Sequence, residues 1–303
     1  MKKSKLLVVV GPTASGKTSL SISLAKQFKG EIISADSRQV YRSLDIGTEK
    51  VTEKEMDGVQ HHLIDVVDVG TVYSATDFKR DAEEVIRDCT NRGRLPIVAG
   101  GTFFYIDVLL GKAATADVEP NEELRDYLND FNTEALYRQL ETVDPVRAST
   151  IDKHNKRRLI RALEVVSAKG RVPQEADNDC PYDVLLLGIE RSREELRARI
   201  RARAEAALTR GLVEETKDLL EQNVSAGRLS EIGLEYRLVL QYLNGELSDT
   251  ELIQRLEEKV WQYAKRQLTW LKRDDAIIWV DPVDRERIFS SVETWLKEWC
   301  CCV

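Results

Sequence analysis

Too little of several things is present for this chain to join the commoner special classes. It has five cysteines, of which Cys89 and Cys180 stand alone while Cys300, Cys301 and Cys302 crowd the end. Such spacing encodes neither a disulfide framework nor a zinc finger. The closing Cys-Cys-Cys-Val formally fits a prenylation signal, but its middle residues are not aliphatic, so a reactive, frayed tail is expected. Of the three histidines, only the adjacent His61-His62 invites a metal. Neighbouring side chains point apart and lack the helical spacing of zinc pairs, so a packing role is expected.

Long apolar runs are also missing, and none approaches the ~20 residues of a membrane-spanning helix. The basic start from Met1 to Lys5 is followed by only five apolar residues before Gly11, too few for a signal peptide. A cytoplasmic protein with no membrane partner, acting as a monomer, is the expectation. Positive charge is not in excess: 45 Lys and Arg face 52 Asp and Glu, a net charge of −7. A uniformly basic nucleic-acid binder is thereby excluded, though a basic cluster on one face is not. Internal repeats are absent. With 42% hydrophobic residues, the 303-residue chain can bury one main core and carry an insertion.

What is present is sharper. The apolar run 6–10 leads straight into Gly11-Pro12-Thr13-Ala14-Ser15-Gly16-Lys17-Thr18, the phosphate-cradling pattern G-x-x-x-x-G-K-[ST], with a helical pattern over 19–28 behind it. Its glycines let backbone N–H groups turn inward around an anion at a helix N-terminus. Lys17 adds a charge, and Thr18 can offer a hydroxyl to Mg²⁺.

β-Branched runs at 5–10, 31–35, 95–99, 184–189 and 276–280 predict five short buried strands. Helical periodicity between them predicts an α/β fold, with a P-loop NTPase-like parallel sheet core. The gap of about 85 residues between the third and fourth strands far exceeds one crossover helix. It predicts a helical insertion over 115–180, with two or three helices, between core segments 1–114 and 181–303. Asp144-Pro145 should start one helix, and Asn155 another that Gly170 and Pro173 close. A capping box at Ser192 to Glu195 should open a helix ending near Gly211, with Leu196, Ile200, Ala204 and Leu208 buried. Arg199 and Arg203 should border that stripe, where a charge can enter a cleft. C-terminal helices are expected over 231–243 and 250–272, the latter with Leu252, Leu256, Val260, Tyr263 and Trp270 inward.

Two further segments end strands on the ligand-binding edge of such a sheet. Asp36, in Asp36-Ser37-Arg38-Gln39-Val40-Tyr41-Arg42, could hold Mg²⁺ through water, serve as a general base, or merely cap a helix. In Gly100-Gly101-Thr102-Phe103-Phe104-Tyr105, the paired glycines could admit a substrate close to the backbone, or form a tight turn. Basic residues cluster at Lys153, His154, Lys156, Arg157, Arg158 and Arg161, and again at Lys265, Arg266, Lys272 and Arg273. Beside a phosphate site they favour a polyanionic partner over a merely solvated face.

In order, GPTASGKT, DSRQVYR, DIGT, HHLIDV, YSATDF, GGTFFY, DPVRAS…NKRRLIRALEV and QYAKRQLTWLKR resemble the tRNA dimethylallyltransferase family, also called tRNA isopentenyltransferases, over about residues 5–281. The resemblance implies transfer of a dimethylallyl group from dimethylallyl diphosphate to N6 of adenosine 37, beside the tRNA anticodon. The P-loop would then hold the diphosphate, with Mg²⁺ at Thr18. Asp36, Thr102 and Arg203 would carry catalysis. The anticodon stem-loop would meet Asp36, Ser37, Arg38, Gln39, Thr102, Arg125, Arg157, Arg158, Leu159, Ile160 and Arg161, with Lys265 and Arg266 from a stretch of contacts within 260–267.

Three departures stand out. Phe103-Phe104 replaces Gly-Leu and adds bulk near the expected prenyl channel, Glu235-Tyr236 stands for Gly-Tyr, and Val260-Trp261 for Thr-Arg. From the residues alone other readings stay open: a small-molecule kinase with ATP in the loop, a prenyltransferase acting on free AMP, or a nucleotide-gated RNA-binding module without chemistry.

Overall fold

A computed structural model of the chain describes residues 3–116, 118–173 and 180–298. The cysteine cluster Cys300 to Cys302, expected to be a reactive tail, lies outside these residues. Two compact units divide the chain: Met1–Leu109 with Pro181–Val303, and Leu110–Cys180.

The first unit is built on six parallel strands: β1 (Ser4–Val10), β2 (Gly30–Ser34), β3 (His61–His62), β4 (Leu95–Gly100), β5 (Tyr182–Ile189) and β6 (Ile278–Val280). Their spatial order is β3-β2-β4-β1-β5-β6. Because β4 lies between β1 and β2, the chain ends that follow these three strands meet along one edge. The register pairs Val10 with Gly100, and Ser34 with Ala99, so the P-loop, Gly101-Thr102 and Asp36 leave the sheet at the same level. Leu7, Val9, Ile97, Leu185 and Leu187 fill one face together with Leu20 and Leu24 of the Lys17–Phe28 helix.

Five of the six strands are those the apolar runs predict. The two-residue β3 is too short to leave a period-2 signal, and pairs Ile32 with His61 and Ile33 with His62. Both histidines pack at this sheet margin: His62 Nε2 lies 2.8 Å from Glu31 Oε2, and His61 Nδ1 lies 2.9 Å from the Val59 carbonyl. Glu31, His62 and Cys89 form the one group of potential metal ligands among the described residues. Arg92, however, takes both Glu31 oxygens at 2.5 and 2.8 Å, and burial followed by Glu31 pushes the Cys89 thiol up to about 12. With the carboxylate already paired to the guanidinium and touched by His62 and Cys89, these side chains form a polar knot at the sheet margin.

Several helix expectations need correction. The 231–243 stretch divides into Ala226–Ile232 and Leu234–Leu243, because Gly233 adopts an extended backbone (φ −146°, ψ 143°). Ser192 caps the Arg193–Thr209 helix through Glu195 N–H, but the expected reciprocal bond is missing: the Glu195 carboxylate turns to Arg191 instead. In the Asp249–Leu271 helix the buried positions are Leu252, Leu256, Ala264, Gln267 and Leu271. Trp270 is off that stripe, 37% exposed, and donates its indole N–H to Asp107 at 3.1 Å. A polar glutamine thus occupies the inward place.

The Leu110–Cys180 unit holds four helices rather than two or three: Glu122–Asn129, Thr133–Val143, Pro145–Thr150 and Lys156–Lys169. Asp144 caps the Pro145–Thr150 turn by accepting Arg147 N–H at 2.9 Å, and Asn155 caps the last helix through Arg158 N–H at 3.2 Å. Gly170, left-handed at φ 78°, ends it. Leu128, Leu136, Leu140, Ala148, Leu159 and Ile160 form this unit's own core.

Candidate active site

The site begins at the carboxyl end of β1. Gly16 lies in the left-handed region at φ 100° and Ala14 at φ 62°, which folds residues 11–16 into a loop ahead of the Lys17–Phe28 helix. Lys17 Nζ donates to the carbonyls of Gly11 (2.9 Å) and Pro12 (2.8 Å). Burial, and then the nearby Arg203, push the Lys17 ammonium down to about 7, while Asp36 pulls it up. The Thr18 side chain is exposed, and its hydroxyl forms no hydrogen bond with the described residues.

Three arginines surround this loop. Arg199 Nε donates to the Ala14 carbonyl at 2.7 Å, Arg191 Nε to the Ser15 carbonyl at 2.7 Å, and Arg203 Nη1 approaches Thr13 Oγ1 at 3.4 Å. Leu196, Ile200 and Ala204, buried as expected, hold the Arg193–Thr209 helix so that Arg199 and Arg203 reach the loop; Ala207 completes the stripe while Leu208 is only half-buried. Glu195 neutralises Arg191, and Glu49 lies 3.3 Å from Arg203. Burial, and then Arg191, make the Arg199 cation less favourable. Four cations converge on one loop with two carboxylates between them, a charge excess suited to a polyanion.

Across β4 stands Asp36. It is half-buried, and its Oδ1 accepts the N–H groups of Arg38 (2.9 Å) and Gln39 (3.4 Å). The Thr102 hydroxyl accepts Ser37 N–H at 2.9 Å and donates to Ser37 Oγ at 3.3 Å, and Thr102 N–H bonds the Ala35 carbonyl at 3.1 Å. Thr102 therefore fixes the segment that presents Asp36. The glycines before it serve the protein rather than a substrate: a Cβ on Gly100 would sit 2.1 Å from the Ala35 carbonyl oxygen, and one on Gly101 2.8 Å from Gln267 Nε2. Of the bulky pair that follows, Phe103 is buried and Phe104 exposed.

Gln267 joins the two halves of the site. Its Oε1 accepts Thr13 N–H at 2.8 Å and its Nε2 donates to the Gly101 carbonyl at 3.0 Å. No sequence pattern announces this bridge, although a glutamine on the inward face of a helix is a signal that could have found it. Glu215 was also missed. Its carboxylate accepts the N–H groups of Asp45 (3.0 Å), Ile46 (2.6 Å) and Gly47 (3.0 Å), and receives the Tyr236 hydroxyl at 2.7 Å. This clamp accounts for the Asp45-Ile46-Gly47-Thr48 motif: a Cβ at Gly47 would lie 2.5 Å from the Tyr236 ring. Val260 and Trp261 pack against Ala14, Leu196, Ile200 and Ala264, with Arg197 stacked 4.9 Å from the Trp261 ring.

The residues expected to meet RNA divide. Ser37, Arg38 and Gln39 follow Asp36 directly; Gln39 turns inward to the Ser34 hydroxyl (3.1 Å) and the Glu49 carbonyl (3.1 Å), and Arg38 pairs with Glu235 at 2.6 Å. Lys265 and Arg266 are exposed, with Arg266 over the Tyr263 ring at 5.8 Å. In the second unit Arg157 and Arg158 are exposed. Leu159 and Ile160 are not available to RNA through their side chains, since both are buried in that unit's core. Arg125 and Arg161 are committed to Glu164, a carboxylate only 1% exposed: Arg125 Nε lies 2.9 Å from it, and Arg161 also reaches the Val118 carbonyl at 2.9 Å. Burial disfavours the Glu164 anion, but the Asn121 N–H and then Arg161 and Arg125 outweigh it and lower its pKa. These two arginines hold the fold of their unit together.

The family profile described as IPP transferase matches residues 39–274. A tRNA dimethylallyltransferase of Thermomicrobium roseum is 44% identical, covering 98% of this chain and 93% of its own, and one of Enterococcus faecalis is 41% identical, covering 97% and 98%. Among solved structures, a full-length tRNA isopentenylpyrophosphate transferase of Bacillus halodurans superposes with a TM-score of 0.73 at 36% identity, covering 98% of both chains. A eukaryotic dimethylallyltransferase described as acting on tRNA reaches a TM-score of 0.79 at 30% identity, covering 93% of this chain and 74% of its own. Among the described residues no helix is long and apolar enough to cross a membrane.

Proposed function

The chain belongs to the IPP transferase family, and from that premise we propose that its site moves a dimethylallyl group from dimethylallyl diphosphate to N6 of adenosine 37 in the anticodon stem-loop of tRNA. A carbon–nitrogen bond forms, the allylic carbon–oxygen bond breaks, and diphosphate leaves.

The observation that carries this reading is the pairing of a cation-rich loop with a carboxylate across a single strand. The adenine amine is a poor nucleophile because its lone pair is delocalised into the ring, so both reaction partners need help. At the leaving group, the loop amides, Lys17, Arg199 and Arg203 stabilise the charge that develops on oxygen. At the amine, Asp36 accepts a proton as the new bond forms. Thr102 sets the Asp36 segment through Ser37, which fixes the distance between base and electrophile.

The donor set also fits a magnesium ion. Thr18 presents an exposed hydroxyl in the first helical turn beside Lys17. Mg²⁺ commonly takes only one or two protein oxygens, with phosphate oxygens and water completing its shell. Thr18 would hold it, and its chemistry is charge neutralisation on the departing diphosphate.

To react, the base must leave its stack, so adenosine 37 is flipped toward Asp36. Arg157, Arg158, Lys265 and Arg266 supply phosphate contacts that position the RNA without reading sequence. The protein works as a cytoplasmic monomer.

Mass spectrometry of a synthetic anticodon stem-loop incubated with the protein, dimethylallyl diphosphate and Mg²⁺ tests the proposal. One dimethylallyl group replacing one hydrogen on adenosine 37 is expected. Product with AMP but none with the stem-loop would redirect the acceptor assignment, and label transfer from ATP to a small hydroxyl compound would replace the reaction class.

A further inference from the structure

Among the described residues, Asp36 acts electrostatically on Lys17 from the P-loop helix, Arg38 from its own segment, Tyr105 from the helix after β4, and Tyr263 from the Asp249–Leu271 helix. Two of these are cations. Lys17 is occupied by the Gly11 and Pro12 carbonyls. Arg38 is two residues from Asp36, and its own N–H already bonds Asp36 Oδ1 at 2.9 Å.

A guanidinium with two carboxylates in reach will pair with whichever is better placed. Here Glu235 takes it, with Arg38 Nη1 to Glu235 Oε2 at 2.6 Å and side-chain exposures of 19% and 16%. The placement of Glu235 is built in. Tyr236 anchors the start of the Leu234–Leu243 helix by its bond to Glu215, and the extended Gly233 sets the angle at which that helix begins.

We propose that Glu235 is a positioning residue for the transfer: it holds the Arg38 guanidinium away from the Asp36 carboxylate, whose lone pairs must stay free to take the amine proton. The inference rests on Asp36 being the base. Without Glu235, Arg38 is left with Asp36 as its nearest carboxylate, and each turnover must first break that new ion pair.

The test is single-turnover transfer to an anticodon stem-loop with dimethylallyl diphosphate and Mg²⁺ saturating, with KM for the stem-loop measured in parallel. Glu235→Gln should slow the chemical step about ten-fold, the scale of one partly buried ion pair broken per event, without raising KM for RNA. Arg38→Met combined with Glu235→Gln removes the cation as well, and should recover most of the lost rate while raising KM. Replacing a part-buried pair by neutral groups is commonly tolerated, so the double variant is informative even if Glu235→Gln folds poorly; thermal melts establish which variants are folded.

A folded Glu235→Gln with wild-type rate would overturn the proposal. So would a double variant no faster than folded Glu235→Gln, or as slow as Asp36→Ala. Asp36→Ala itself separates this idea from its premise. If that variant keeps full turnover, the base assignment is wrong. If it is slow while Glu235→Gln is not, only the role of Glu235 is lost.

Discussion

Replacing Gln267 by leucine should damage both stability and catalysis, because this one side chain joins the P-loop to the segment that carries Thr102. Gln267 is 5% exposed, accepts Thr13 N–H at 2.8 Å and donates to the Gly101 carbonyl at 3.0 Å. Leucine keeps the volume but leaves a donor and an acceptor unmet inside the protein. Each such group costs about 1–3 kcal/mol, so a loss of roughly 2–6 kcal/mol is expected for the two, lowering Tm by about 5 °C or more in a protein of this size. The catalytic consequence comes from the other end of the same bonds. Thr13 belongs to the loop proposed to hold the diphosphate, and Gly101 precedes Thr102, which fixes the Asp36 segment through Ser37. If the loops drift by about 1 Å, kcat/KM should fall on the order of 10²-fold. Differential scanning fluorimetry with and without diphosphate, together with steady-state transfer to a stem-loop, reads both effects. Diphosphate should narrow the Tm gap, since it offers Thr13 N–H a new acceptor. A Gln267→Leu protein with unchanged Tm and kcat/KM within three-fold of wild type (about 0.65 kcal/mol) would refute the bridging role.

Other outcomes follow from the same geometry. Asp36→Ala should lower kcat by roughly 10²- to 10⁴-fold with little change in stem-loop affinity, as removal of a general base does; the affinity is checked by filter binding. Arg157→Ala with Arg158→Ala should weaken RNA binding and flatten its dependence on log salt by about two phosphate contacts, whereas Arg125→Ala should destabilise the second unit by removing one of the two guanidinium partners of the buried Glu164, seen as a lower melting transition rather than as a changed salt slope. Glu31 is held from its ordinary 4.5 down to about 2, chiefly by hydrogen bonds from Arg92 against the cost of burial, with His62 and Cys89 adding to the effect. Its stabilising contribution is therefore complete above pH 4.5 and disappears as pH falls toward 2, worth roughly 2–3 kcal/mol once solvent around the half-exposed Arg92 is allowed for. Urea titrations of wild type and Glu31→Gln should differ at pH 6 and converge by about pH 2; a constant gap would show that the charge is not what Glu31 contributes.

Signals confined to a dozen contiguous residues could be read directly. The P-loop spacing, the β-branched strands, the Asp144 and Asn155 caps and the Leu196, Ile200, Ala204 stripe all depend on period or on local turn chemistry. Features that join distant segments could not. Gln267 meets Thr13 and Gly101 across 254 and 166 positions, and in sequence it is one polar residue in an amphipathic helix. Arg125 and Arg161 look like RNA-binding cations until Glu164 is found beneath them. Arg157 and Arg158, a turn away on the same helix as Arg161, are exposed.

Sequence by itself determined the chemistry that is available: a loop shaped for phosphate, a carboxylate and a threonine at strand ends, two arginines on one helical face, and a motif order matching one enzyme family. These follow because backbone conformation and side-chain type are local properties. Tertiary structure decided which of those groups meet. Placing β4 between β1 and β2 sets Thr102 between Asp36 and the P-loop, Gln267 ties the P-loop to Gly101, and Glu235 claims Arg38. Each of these depends on pairings between segments 65 to 254 positions apart, whose energy exists only after the chain has closed around them.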